Sequence, residues 1–108
     1  MYKDYDQNTD SVFRKPMITE IKRLPVEFDG RGSVNGMRFK QLNRTRKKVI
    51  YERSDGYYEV IRIRVREAEV IYGTDYPRRE IFPSYEEFGT FGWCIRNLED
   101  ALAKYDEL

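Results

Sequence analysis

The chain has 108 residues, of which 20 are Lys or Arg and 19 are Asp or Glu, and it contains no His and a single Cys. This length corresponds to one small folded domain, and because 36% of the residues are charged, we expect a heavily charged surface around a modest core. The missing histidines remove the commonest general base and metal ligand, and a single cysteine excludes an internal disulfide, a zinc knuckle or an iron–sulfur cluster.

Residues 1–15 are polar, and we interpret them as an N-terminal tail that precedes a single α+β domain over residues 16–108. The tail contains the first four ligand positions of an EF-hand calcium loop: Asp4, Asp6, Asn8 and Asp10. The pattern fails at Thr9, where the loop needs Gly, and at Lys15, where it needs Glu, so we expect no metal site. Since the N-terminus has no apolar signal region and no apolar run could span a membrane, we expect a cytoplasmic protein.

Short strands separated by turn residues are predicted for the first two thirds of the domain. The strand-like segments are residues 17–28, 37–40, 49–51 and 57–65. Asn35-Gly36 lies between the first two, and this pair is typical of a tight hairpin turn in which both residues adopt a positive φ. In the last segment apolar and basic residues alternate, which predicts one continuous strand with an apolar face and a guanidinium face, the latter carrying Arg62, Arg64 and Arg66.

The turn Ser54-Asp55-Gly56 leaves the register of the following hairpin open. A two-residue Asp55-Gly56 loop would place Glu52 opposite Glu59. A three-residue loop with a bulge at Gly56 would instead place Lys48 opposite Arg62. Each register brings one pair of like charges together, so charge alone does not choose between them.

The last third of the chain begins with a long connection, residues 73–89, which has a capping-box pattern at residues 84–87 and is expected to form at most one helical turn. Residues 91–95 alternate as a short buried strand. Asn97 is then expected to cap an amphipathic helix whose apolar residues have the spacing of one face: Leu98, Ala101, Leu102 and Tyr105.

These elements together predict an α+β fold. We expect an antiparallel sheet of four to five strands, arranged as a meander, with one C-terminal amphipathic helix packed on one face. The apolar residues of the strands and of the helix would then form a shared core.

The last third also carries a resemblance to other proteins. Its motifs are an aromatic-Pro pair, a Phe-Gly pair, a Trp-Cys pair and a helix of the Leu-Glu-x-Ala type: Phe82-Pro83, Phe88-Gly89, Trp93-Cys94, Leu98-Glu99, Ala101 and Lys104-Tyr105. Over residues 32–106 the chain resembles small uncharacterised proteins of bacteria and their phages. This resemblance implies no activity, because no function is assigned to such proteins.

Several short motifs favour ordinary structural roles over chemistry. The glycines of residues 30–36 resemble a phosphate-binding loop, but no helix follows them, so hairpin turns explain them better. Residues 20–22 read Glu-Ile-Lys, as in part of some metal-dependent nuclease sites, but such tripeptides are abundant. Cys94 has no histidine to act as a base, which favours a buried structural thiol. The adjacent Glu86 and Glu87 are expected to lie in a solvated turn.

Charge is distributed unevenly along the chain. Residues 1–36 are balanced, residues 37–66 contain ten basic and three acidic side chains, and residues 67–108 contain four basic and ten acidic ones. A near-neutral chain therefore has a basic middle and an acidic C-terminal third, an asymmetry that concerns partners more than fold.

The basic middle contains the candidate binding residues. Cations from neighbouring strands and turns, with two tyrosines among them, would form one face: Arg38, Lys40, Arg44, Arg46, Lys47, Lys48, Tyr51, Tyr58, Arg62, Arg64 and Arg66. Such a face can follow phosphates with its charges and stack bases on its rings, as single-strand binders do. The same cations could instead be solvated, or pair with the acidic C-terminal third.

Two functional hypotheses follow. The first is a small non-enzymatic binding domain that binds single-stranded nucleic acid through the basic sheet face. The second is a protein-interaction or inhibitory accessory protein of a phage or mobile element, which binds an acidic protein or a second copy of itself through exposed sheet edges. An enzyme is the least favoured reading, and neither hypothesis requires a cofactor.

Overall fold

The computed structural model of the chain describes residues 21–108 and groups them into two compact units. The larger one, here the sheet unit, comprises Leu24–Arg64 and Ile81–Leu108. The smaller one, here the hairpin unit, contains residues 21–23 and Val65–Glu80 of the described chain. The predicted N-terminal tail over residues 1–15, including the Asp4–Asp10 pattern from which we expect no metal site, and Glu20 lie outside the described residues.

The sheet unit contains a five-stranded antiparallel sheet and one α-helix. Its strands are β1 (Glu27–Asp29), β2 (Arg38–Arg44), β3 (Lys48–Arg53), β4 (Tyr58–Arg62) and β9 (Gly92–Ile95), in the spatial order β1-β2-β3-β4-β9. The helix α1 (Leu98–Glu107) packs on β3, β4 and β9. The predicted α+β class, with one C-terminal helix on an antiparallel sheet, is confirmed.

The connection from β1 to β2 contains a different turn from the one predicted. Gly36 has a positive φ of 89°, but Asn35 has φ −60° and ψ 136°, which are the values of a type II turn closed by the Met37 N–H on the Val34 carbonyl oxygen. Only one of the two central residues therefore adopts positive φ. A 3-10 turn at Gly32–Val34 precedes it, so eight residues rather than a two-residue loop separate the two strands.

The β3–β4 hairpin adopts the second of the two registers left open by the sequence. Lys48 pairs with Arg62, and Glu52 pairs with Tyr58. The loop has three residues and Gly56 adopts a φ of 94°, as a bulge at this position requires. The like charges are separated because the Lys48 ammonium donates to the Tyr105 carbonyl oxygen at 2.8 Å, at the negative end of helix α1.

The predicted continuous strand over residues 57–65 is interrupted. Strand β4 ends at Arg62, and a separate strand β5 (Arg64–Arg66) begins beyond Ile63. At the interruption, Ile63 still donates its N–H to the Lys47 carbonyl oxygen and packs against the core. The prediction of one uninterrupted arginine row is therefore wrong, because side-chain alternation does not report where backbone pairing ends.

Each face of the sheet is covered by its own apolar cluster. On one face, Ile50 and Val60 pack against Ala101 and Tyr105 of helix α1. The opposite face is aromatic, and its buried residues include Phe39, Val49, Tyr51 and Ile61. Leu98 and Leu102, predicted to complete the buried side of the helix, are 41% and 42% exposed because the contact is centred on the Ala101–Tyr105 ridge.

The predicted local signals around the helices are present. The Asn97 side chain accepts a hydrogen bond from the Asp100 N–H at 2.9 Å and begins helix α1. The capping box of residues 84–87 forms a single 3-10 turn at Tyr85–Glu87, in which the Ser84 N–H donates to Glu87 Oε1 at 2.9 Å.

Three short strands that the sequence did not predict lie within or just before the predicted long connection. They are β6 (Glu69–Ile71), β7 (Thr74–Tyr76) and β8 (Arg79–Ile81). Strands β6 and β7 pair around Tyr72-Gly73, which have φ values of 50° and 79° and form the primed hairpin turn. Tyrosine is uncommon at such a position, so this turn gave no recognisable signal.

Among the described residues, no helix is long and apolar enough to cross a membrane.

Candidate functional site

The structure separates the predicted basic face into several environments. Strand β2 places Arg38 and Lys40 beside strand β1, whose paired residues are Asp29 and Glu27. The Arg38 guanidinium donates to Asp29 at 2.9 Å and to Glu27 at 3.4 Å, and the Asp29 hydrogen bond is the main reason that its pKa is raised. Lys40 also pairs with Glu52 on strand β3. These two cations are therefore flanked by carboxylates.

The two predicted tyrosines are not available for stacking. Tyr51 is fully buried on the aromatic face of the sheet, and its hydroxyl donates to the Pro25 carbonyl oxygen at 2.7 Å. Tyr58 lies on the opposite face, half-buried against the cluster under helix α1. Adjacent register positions point to opposite faces, so the sheet cannot present both rings on one surface.

The three arginines of the predicted row also have separate surroundings. Arg62 is exposed and lies over the Trp93 ring, with 5.9 Å between the guanidinium carbon and the ring centroid. Arg64 makes a bidentate ion pair with Glu87 at 2.7 and 2.9 Å and lies 3.9 Å above the Phe91 ring. Arg66 is exposed and belongs to the hairpin unit.

Five of the predicted cations are brought together at one end of the sheet. We call this group the basic end, and it comprises Arg44, Arg46, Lys47, Lys48 and Arg62. Thr45 organises its turn, because the Thr45 hydroxyl accepts hydrogen bonds from the N–H groups of Lys47 and Lys48 at 3.1 and 3.2 Å. Arg46 and Lys47 project from the turn and are exposed.

A second feature, which the sequence did not predict, is a cavity of about 760 Å³ on the aromatic face of the sheet unit. Its walls are largely apolar and include Leu24, Phe28, Val34, Phe39, Phe82 and Phe88. Phe28 stacks on Phe39 with ring centroids 4.6 Å apart, and Phe82 meets Phe28 edge-on at 5.7 Å. This volume falls within the range of small-molecule sites in proteins, roughly 300–1,000 Å³.

The floor of the cavity is polar, although it lies in an apolar surround. Strands β3, β4 and β9 place Arg53, Glu59 and Cys94 on the same face of the sheet, and all three line the cavity. Arg53 Nη1 donates to Glu59 Oε2 at 2.8 Å and to Cys94 Sγ at 3.2 Å. Its Nε donates to Asp55 Oδ1 at 3.2 Å, and its Nη2 donates to Asp55 Oδ2 at 2.6 Å.

Glu59 is the least satisfied member of this floor. The residue is only 3% exposed, and its Oε1 atom accepts no hydrogen bond from the part of the chain that the structure describes. Desolvation raises the pKa of Glu59, and the Arg53 guanidinium opposes that rise without cancelling it. A buried carboxylate oxygen without a partner is costly, so it marks a position where a hydrogen-bond donor would be stabilised.

Cys94 differs from the buried structural thiol that the sequence predicted. It is exposed, because strand β9 directs it toward the cavity beside Arg53 and Glu59. Desolvation raises the pKa of its thiol, and the positive charge of Arg53 acts in the opposite direction. The chain's single cysteine therefore reports on access to this cavity.

Two residues of this floor, Arg53 and Glu59, could have been identified from the sequence if the register of strands β3 and β4 had been known. In strand β3, Arg53 follows Val49 and Tyr51 at every second position, and in β4 Glu59 precedes Ile61 in the same way. A charged residue in an apolar series on each of two paired strands is the available signal. The cavity itself depends on residues 24–34 and 82–88, whose long-range placement leaves no local pattern.

No protein-family model matches the chain, and neither does any curated protein. No solved structure matches it either. Within residues 21–108 there is also no group of three or more Cys, Asp or Glu side chains that could hold a metal ion.

Proposed function

We propose that this chain is a small binding protein whose cavity on the aromatic face of the sheet takes up a small, largely apolar molecule. The observation that carries the proposal is a cavity of about 760 Å³ whose apolar walls surround a buried charged floor. A cytoplasmic setting, which would keep the single thiol reduced, fits this proposal.

The energetics of the floor support binding over a purely structural role. A concave surface of this size with largely apolar walls is typical of small-molecule sites. Glu59 is 3% exposed, and removing a carboxylate from water is expensive unless it is fully paired. A buried charged group whose pKa is perturbed by desolvation, at the floor of a cleft, marks a candidate functional site.

A neutral fluorescent probe tests the proposal directly. Nile red should bind the wild-type protein with a rise in fluorescence, because the apolar walls replace water around the dye. Cys94→Trp, which puts a large ring on the cavity floor, should abolish that rise. Leu102→Trp adds the same ring on the helix, where Leu102 is 42% exposed, and should leave binding unchanged.

Circular dichroism would confirm that both tryptophan variants are folded. Equal binding of Nile red by wild-type protein and a folded Cys94→Trp variant would contradict the proposal, because the dye would then occupy another surface.

A second candidate function is single-stranded nucleic-acid binding at the basic end. It is supported by the convergence of five cations at one end of the sheet, of which Arg46, Lys47 and Arg62 are exposed. This candidate no longer relies on Tyr51 or on the arginine row. The other sequence-based hypothesis, an acidic protein partner or a second copy of the chain, remains a prediction.

Fluorescence polarisation with a labelled single-stranded oligonucleotide of about 12 nucleotides tests the second candidate. Binding should weaken steeply with salt, and replacing Arg46, Lys47 and Arg62 by Gln should flatten the salt dependence by about two released counterions. The control variant replaces exposed cations elsewhere, Arg31, Lys40 and Arg96, and so removes the same charge. Equal weakening in both variants would indicate nonspecific attraction rather than a site.

A further inference from the structure

The floor of the cavity offers one unused hydrogen-bond acceptor. Glu59 has two carboxylate oxygens, and Oε2 is occupied by Arg53 at 2.8 Å. Oε1 is buried and accepts no hydrogen bond from the described residues. Four of the five guanidinium N–H groups of Arg53 are used, two on Asp55 and one each on Glu59 Oε2 and Cys94, and none of these hydrogen bonds reaches Oε1. A molecule in the cavity that brings a donor to Oε1 would complete the network.

The formal charge of the floor determines which donor fits best. One guanidinium, Arg53, faces two carboxylates, Asp55 and Glu59, so the floor has a net charge of −1 when both acids are ionised. An anion would be repelled, and a neutral donor would leave this charge unbalanced. A cation would supply both the missing hydrogen bond and the missing charge.

The walls of the cavity determine which chemical character the rest of the ligand should have. Aromatic rings from β1, β2 and the segments before β9 line the cavity around the floor and make its walls apolar. A compact apolar body would replace water in the cavity. A long polyamine would place further charges against these rings without carboxylate partners, so a single positive charge fits better.

We propose that the cavity binds a small apolar molecule with a single primary ammonium group, which donates to Glu59 Oε1. This inference rests on the proposed function and specifies its ligand class. Glu59 is a binding residue in this proposal, and Arg53 is a positioning residue that fixes the orientation of the carboxylate.

A matched series of three phenyl compounds, measured by titration calorimetry, tests the ligand class. Phenethylamine is the cation, phenethyl alcohol its neutral counterpart and hydrocinnamate an anion of similar shape. The amine should bind at least about tenfold more tightly than the alcohol, as expected for a charge-assisted hydrogen bond, and the anion most weakly. In Glu59→Gln the advantage of the amine should disappear, while the alcohol keeps its affinity.

Glu52→Gln is the matched control, because it removes the same charge from strand β3 on the opposite face of the sheet, where Glu52 is exposed. It should retain the preference for the amine. A preference for the amine that Glu52→Gln abolishes and Glu59→Gln preserves would overturn the proposal.

The pH dependence of wild-type binding provides a second readout that needs no variant. The other charged and titratable groups that line the cavity are Asp29, Arg31, Arg53, Tyr85 and Cys94, and Asp55 accepts hydrogen bonds from Arg53 beside Glu59. Desolvation works to raise the pKa of Asp55, but hydrogen bonds from Arg53 and the Tyr57 N–H outweigh it and the pKa is lowered. Because the pKa of Glu59 is raised above its usual value of 4.5, amine affinity should increase as the pH rises above 4.5 and Glu59 loses its proton, while alcohol affinity stays constant.

The outcomes separate the two proposals. If the alcohol binds as tightly as the amine in wild-type protein, or if amine affinity does not change with pH, the ligand class is wrong and the cavity remains a binding site. If Nile red binds but none of the three phenyl compounds does, the ligand class is again wrong. If neither Nile red nor any of the three binds, the proposed function fails as well.

Discussion

Replacing Arg53 by Met should destabilise the fold far more than an ordinary arginine substitution. The Arg53 side chain is 11% exposed and its partner Glu59 4%, so the substitution leaves a buried carboxylate without its main donor. Removing one partner of a buried pair costs about 3–5 kcal/mol, against a total stability of about 5–15 kcal/mol for a domain. Met fills most of the space of the arginine stem, so the loss of stability measures the effect of removing the charge rather than the effect of lost packing.

Urea unfolding followed by the fluorescence of Trp93, the only tryptophan in the chain, measures this change. With a slope of about 1.5 kcal/mol per molar urea, a loss of about 3 kcal/mol lowers the midpoint by about 2 M. Arg38→Met is the control, because the Arg38 side chain is 48% exposed and its ion pairs lie at the surface. Its midpoint should stay close to that of the wild type.

The double variant Arg53→Met, Glu59→Leu separates the charge from the other contacts of Arg53. With both charges removed, the unfolding free energy should recover by about 2 kcal/mol relative to Arg53→Met alone. A midpoint for Arg53→Met as close to wild type as that of Arg38→Met would refute the view that Glu59 depends on Arg53. Strict additivity in the double variant would refute it as well.

Three further predictions concern the fold. Asn97→Ala should lower the unfolding free energy by about 1 kcal/mol in urea, because the Asp100 N–H loses its cap; an unchanged value would contradict the cap. Gly36→Ala should lower the same quantity by about 1 kcal/mol, since φ is 89° and nothing lies within 4 Å of the added Cβ, so the cost is conformational. The Arg64 hydrogen bonds are the main reason that the pKa of Glu87 is lowered from 4.5 to about 2, so Glu87 stabilises the fold above pH 4.5 and this contribution is lost as pH falls toward 2. Melting temperatures of Glu87→Gln should therefore depend less on acid than those of the wild type, and parallel curves would contradict the ion pair.

The secondary structure and fold class were largely predictable because their signals are local. The Asn97 cap and the spacing of Ala101 and Tyr105 predicted helix α1, alternation predicted strands β2 and β4, and a β-rich composition predicted β3. The primed turn at Tyr72-Gly73 was not predictable, since it places a tyrosine in a conformation that side chains with a Cβ disfavour.

The candidate site was less predictable because it depends on long-range packing. Alternation assigned Arg62, Arg64 and Arg66 to one continuous strand, but strand pairing is interrupted at Ile63 and Arg64 forms an ion pair with Glu87. Conversely, Arg53 and Glu59 carry no motif, and their proximity follows only from the hairpin register that charge pairing left open. They become the floor of a cavity only because aromatic side chains from distant segments of the chain pack around them.

Protection of Cys94 from alkylation is the most direct measurement of whether the cavity binds a ligand. Iodoacetamide modifies only this residue among cysteines, because the chain has no other, and the thiol lies on the cavity floor beside Arg53. Adding phenethylamine should slow the alkylation in proportion to occupancy, with half of the effect at the dissociation constant found by calorimetry. An alkylation rate that stays constant at saturating amine would contradict binding at this floor.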